Sequence, residues 1–244
     1  MPALYTHYEY GLWVLENIKD QKLKNIIQKY KNEFIIGLQG PDIFFYHQVH
    51  KSSPISRYGH DLHKVSGNDF LKNRVVENDA TMSYCIGFIC HYTLDKICHP
   101  YINEKAKTSV QHQNLESALD YELMQEVKRF KGRHHVLPKS DYDVHSIQQF
   151  YQKWNDQQCR SAINTMRQLN FFMNSRKLIQ VVDQLAKKNG SFSSLTLNRN
   201  HEYKTESKYL VELVKNSVNE GVNNCQKYFH EQVLESGILN FEGE

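Results

Sequence analysis

Leu12, Val14, Leu15 and Ile18 recur at helical spacing, and Thr6 stands where a capping hydroxyl belongs, so a first helix is predicted from Thr6 to about Ile18. A second is predicted from about Lys22 to Tyr30 and a third from Lys31 to Gly37. Gly40-Pro41 then breaks the helical pattern, because proline disfavours helical dihedrals in the residue before it. Residues 47–66 carry Pro54, Gly59, several Ser and four His, and read as a long polar loop. Further helices are predicted over Asp69–Val76, Asp79–Tyr101 (the most apolar) and Leu115–Phe130. The second half adds Val144–Trp154, Gln157–Asn170, Ser175–Lys188 and Thr205–Leu234, with Asn189–Asn200 as a loop. No composition shift marks a boundary, so one all-α domain over residues 1–244 is expected. It would be a bundle of about eight to ten helices with the second half as scaffold.

Composition agrees. Gly (11) and Pro (5) are scarce over 244 residues, which favours long helices. A hydrophobic share of 40% and a charged share of 23% are ordinary for a globular chain. The net charge of +3 is too small to argue for nucleic-acid binding, and the nearest basic run, KRFKGR at 128–133, reads as a solvated helix end. The five cysteines (85, 90, 98, 159, 225) are odd in number and form no CxxC pair, which suits free thiols in a reducing compartment. The N-terminus lacks the pattern of a secretion signal and no apolar run is long enough to span a membrane, so a cytoplasmic location is expected.

Histidine changes the picture: there are 13, and eight fall between Met1 and His112. His91, Asp95 and His99 stand at i, i+4 and i+8, one polar line on an otherwise apolar helix. Imidazole and carboxylate buried there need a partner, and a divalent metal is an economical one, with the carboxylate able to bridge two ions. HxxxD alone is also what a partly buried polar pair produces. His112 and Glu116 repeat the i, i+4 spacing, and with His99 they make the His₂Glu set of an open zinc site, although HxxxE alone also describes a solvent-facing pair. His7, Asp42, His60 and His63 are further ligand candidates. Cys90 and Cys98 lie off the ligand line and read as core.

The ordered set His7, Gly40-Pro41-Asp42, His63, His91-x-x-x-Asp95-x-x-x-His99 and His112-x-x-x-Glu116 resembles the zinc-dependent phospholipase C family, a relative of the trinuclear-zinc single-strand nucleases. The resemblance covers roughly the first half of the chain. It implies two or three Zn²⁺: one held by Asp42, His63, His91 and Asp95, one by His99, His112 and Glu116, and a third by His7 with Asp95 as bridge. In the family the third ion is also ligated by the amino group of an N-terminal tryptophan. That residue is absent here; if Met1 is trimmed, Pro2 would present a secondary amine in its place. His63 is favoured over His60. The resemblance further implies hydrolysis of a phosphoester by metal-activated water, with Asp42 orienting or deprotonating the nucleophile. The substrate would be a phospholipid head group or another small phosphodiester. Nucleic acid on the same site, or a non-catalytic zinc domain, are the alternatives. Phe44, Phe45 and Tyr46 would line an apolar pocket, stack a base or pack beneath the site.

Overall fold

The structure is a computed structural model that describes residues 3–49, 52–127, 136–173 and 201–244. Among these every regular element is helical. They are α1 (Leu4–Asn17), α2 (Gln21–Lys29), α3 (Lys31–Gly37), a 3-10 helix (Gly40–Tyr46), α4 (Pro54–Leu62), α5 (Gly67–Lys72), α6 (Asp79–Lys105), α7 (Ser109–Val127), α8 (Val144–Tyr151) and α9 (Asp156–Met173). After a short 3-10 turn at His201–Tyr203 come α10 (Lys204–Asn216) and α11 (Val218–Glu231).

The axis of the molecule is α6. Asn78 caps it, its side chain accepting from the Thr81 amide at 2.8 Å. It is buried on nearly every face from Ala80 to Ile102, as expected of a helix that is apolar all round. It runs a turn past the predicted Tyr101 and carries Pro100 inside it, so the Lys96 carbonyl lacks its usual helical donor. Against α6 lie α1, α3, α8, α10 and α11. A single apolar cluster joins Leu4 and Tyr5 of α1, Phe88 of α6, Phe150 of α8, Leu210 of α10 and Phe241 near the C-terminus.

Several boundaries differ from the sequence pattern. Thr6 is not a cap: α1 begins at Leu4, and the Thr6 amide and hydroxyl both donate to Asp120 Oδ1 of α7, at 2.8 and 2.7 Å. The cap of α1 is thus supplied across the fold. The polar stretch 47–66 is not a continuous loop, for α4 lies inside it. Ser53 accepts from the Ser56 amide (3.1 Å), Ser56 Oγ accepts from the Ser53 amide (2.9 Å), and Pro54 opens the first turn. The predicted helix at Thr205–Leu234 is two, parted at Ser217, whose carbonyl accepts from Tyr10 Oη at 3.1 Å. The helix expected at Ser175–Lys188, the loop at Asn189–Asn200, the basic run 128–133 and Pro2 lie outside the described residues.

Candidate metal centre

Five elements bring the candidates together. His7 comes from the second turn of α1, Asp42 from the first turn of the 3-10 helix, and His63 from the C-cap of α4. His91, Asp95 and His99 project from α6, and His112 and Glu116 from α7. Gly40 turns the chain towards Asp42 with φ +50°, and a Cβ there would lie 2.2 Å from the His91 ring. That position needs glycine both for its backbone and for the imidazole beside it.

Asp95 is the hub. Its Oδ2 lies 3.0 Å from His91 Nε2, and its Oδ1 lies 3.2 Å from His7 Nε2 and 3.6 Å from His99 Nε2. Asp42 Oδ1 is 3.3 Å from His63 Nε2. Glu116 Oε1 is 3.5 Å from His112 Nε2 and 3.7 Å from His99 Nε2. The donor atoms fall into three sets, each within 4.8 Å: His7, His91 and Asp95; Asp42, His63 and His91; His99, His112 and Glu116. His60 is not among them. It is exposed at the rim, its ring 4.4 Å from that of Phe45.

The imidazoles are dressed as metal ligands are. Nδ1 of His63 faces the Gly59 carbonyl (2.8 Å), Nδ1 of His91 the Leu38 carbonyl (3.2 Å), and Nδ1 of His112 the Asn103 amide oxygen (3.1 Å). Oxygen can only accept there, so each Nδ1 carries a hydrogen and each Nε2 is the nitrogen left to face the cluster. His91 Nε2 is buried with no hydrogen-bond partner, despite its closeness to Asp95. A lone pair that nothing donates to is what a cation satisfies.

Charge points the same way. Asp42, Asp95 and Glu116 are at most 7% exposed, yet all three are held below the usual carboxylate range. Burial opposes this for each. The surrounding histidines contribute to the lowering: the His63 contact and the charges of His91 and His63 at Asp42, His91, His99 and His7 at Asp95, and His112 and His99 at Glu116. Burial lowers His63 and His99, but Asp42 lifts the first, and Asp95, Glu116 and Glu242 lift the second. At His91 burial outweighs the lifting contacts of Asp95 and Asp42 and lowers the imidazole. Three buried carboxylates demand positive charge, and the nitrogen and oxygen donors around them suit Zn²⁺.

All of the candidates except His7 and His91 line a cavity of about 590 Å³ whose wall also includes Phe45, His60, Lys64, Asn240, Glu242 and Glu244. Of the aromatic trio, Phe44 and Tyr46 are buried beneath the site and only Phe45 faces the cavity. The five cysteines are buried and free, with Cys90 Sγ 3.6 Å from Cys225 Sγ.

Sequence reasoning missed Asn103 and the segment 240–244. Asn103 continues the four-residue line of His91, Asp95 and His99, a signal that was available. Glu242 left none, since its partner His99 lies far away in sequence; the contact pulls its carboxyl down to about 2.

A family model described as zinc dependent phospholipase C matches residues 6–176, more than two thirds of the chain. No curated protein and no solved structure matches it.

Proposed function

Because this chain belongs to the zinc-dependent phospholipase C family, we propose that its cavity is the active site of a phosphodiesterase acting on a phospholipid head group or a similar small phosphodiester. His63, His91, Asp42 and Asp95 would hold one Zn²⁺, and His99, His112 and Glu116 a second. His7, sharing Asp95, would hold a third. The observation that carries the reading is the convergence of three ligand sets on one cavity, with the Nδ1 atoms of His63, His91 and His112 turned to outer acceptors.

Bound zinc supplies Lewis acidity and lowers the pKa of water to roughly 7. The chain's own groups do the rest. Ionised Asp42, on the cavity wall, accepts a hydrogen bond from the attacking water and holds it in line with phosphorus. Lys64 lines the same cavity and would supply positive charge to non-bridging phosphate oxygens. Phe45 gives an apolar wall for the part of the substrate beyond the phosphate. The sites favour hydrolysis over a structural role, because closed structural zinc sites draw mainly on cysteine, and none of the ligand sets contains one. The free thiols support a reducing, cytoplasmic setting. Among the described residues no helix is long and apolar enough to cross a membrane.

The test is to offer the zinc-loaded protein phosphocholine esters, bis-nitrophenyl phosphate and single-stranded nucleic acid. Hydrolysis of the first two is expected, lost on chelation and regained with zinc. Asp42→Asn should lower turnover by about 10²–10⁴-fold. Preferential cleavage of nucleic acid would favour the nuclease alternative, and zinc bound without hydrolysis of any of the three would favour the non-catalytic one.

A further inference from the structure

A chain of polar contacts outside the ligand sets links the two helices that carry His99 and His112. Asn103 Oδ1 lies 3.1 Å from His112 Nδ1, and Asn103 Nδ2 donates to Glu242 Oε2 at 2.7 Å. The carboxylate can only accept, which fixes the orientation of the amide: its oxygen faces His112. The same Glu242 oxygen lies 3.4 Å from His99 Nδ1, a buried nitrogen that makes no in-line hydrogen bond. Donors and acceptors alternate from His112 through Asn103 to Glu242, and the Glu242 carboxylate faces His99 as a close ionic contact.

Glu242 is delivered by anchored backbone. The Leu239 carbonyl accepts from Tyr92 Oη (2.7 Å) and from the Gly67 amide (3.1 Å), and the Phe241 amide donates to the His63 carbonyl (3.2 Å). The Phe241 ring is fully buried, its centroid 5.1 Å from those of both His63 and Tyr92 and 6.0 Å from that of His91. Gly243 lies against Pro100 of α6. The segment therefore straps the end of α4 to the C-terminal part of α6, across the centre.

We infer that Asn103 and Glu242 are positioning residues for the metal position of His99, His112 and Glu116. They hold the Nδ1 hydrogens of both imidazoles outward and leave both Nε2 atoms for the ion. This rests on the zinc reading above. Outer partners of this kind are worth about 10–100-fold in metal affinity.

The experiment measures zinc count and affinity by competition with a chromophoric chelator. It compares the full chain with Glu242→Ala, Glu242→Gln, Asn103→Ala and the Glu242→Ala/Asn103→Ala double variant, with His112→Ala marking which ion belongs to this position. Melting temperatures of the metal-free forms are recorded alongside. Glu242→Ala and Asn103→Ala should each weaken that one ion by about 10–100-fold while the others stay. Glu242→Gln keeps an acceptor oxygen and should recover most of the loss. The double variant should fall short of the product of the two, since both act through one chain of contacts. Unchanged affinity in both single alanine variants overturns the inference. So does a uniform loss of all ions with a lowered metal-free melting temperature, which marks a merely structural role. Wild-type protein that takes up no zinc sinks the metal-centre reading itself, and this inference with it. Should Glu242→Ala not fold, Asn103→Ala and Glu242→Gln carry the test.

Discussion

Asp95 gives one oxygen to His91 and the other to His7 and His99, so no neighbouring donor can replace it. Asp95→Asn keeps the shape but removes the charge that, in the proposed centre, two ions would share. Metal analysis of that variant is expected to show more than one zinc lost per chain; loss of one alone would mean the carboxylate does not bridge. The same measurement separates two histidines close in sequence. His63→Ala should cost an ion, whereas His60→Ala should cost none, since His60 stands exposed at the rim. Most of the ligand candidates were readable because α6 and α7 display them at four-residue intervals, a spacing that only a helix turns into a common face. Asn103 was readable by the same rule. Glu242 was not, because nothing local in its sequence binds it to His99.

At the scale of elements, α3 packs on α6 through two glycines. A Cβ on Gly37 would meet the Tyr84 carbonyl at 2.2 Å, and one on Gly87 the Phe34 carbonyl at 2.2 Å. Backbone is what stands in the way, so the helices must part to admit a methyl group. Gly87→Ala is expected to lower stability by about 1–3 kcal/mol in a urea melt, despite alanine's better helix propensity. A variant as stable as the parent would show that the contact yields freely. Both α2 and α3 were legible from their apolar faces, and Asp20, which caps α2 by accepting from the Leu23 amide, is a local signal. The elements misread were those whose cues are weak or remote. The Ser53–Ser56 pair capping α4 was obscured by the polar residues around it, and the cap of α1 is Asp120, on another helix. The break at Ser217 carries no proline or glycine to announce it.

For the molecule as a whole, the centre couples stability to protons and to metal. Asp42, Asp95 and Glu116 titrate below their ordinary range, so without metal their contribution is present above about pH 4 and fades as pH falls through their lowered values. His63 and His99 titrate above theirs, so their contribution is present below about 6.5 and is lost as pH rises through their raised values. Zinc takes deprotonated imidazole and gains as those protons leave. The difference in melting temperature between zinc-loaded and metal-free protein should therefore widen as pH rises from 6 to 8, with protons released on zinc uptake. A gap that narrows would contradict this assignment of charge. The all-helical architecture was legible from scarce turn residues and helical spacing; the strap was not, being held by backbone contacts to distant helices. Its place in the chain has a consequence for biosynthesis. Translation delivers every proposed ligand by Glu116, and Phe241 and Glu242 only much later. A nascent chain on the ribosome thus owns the donors well before it owns the ring that plugs the core beside His63 and the carboxylate that faces His99, so the surroundings of the proposed centre are completed long after its donors.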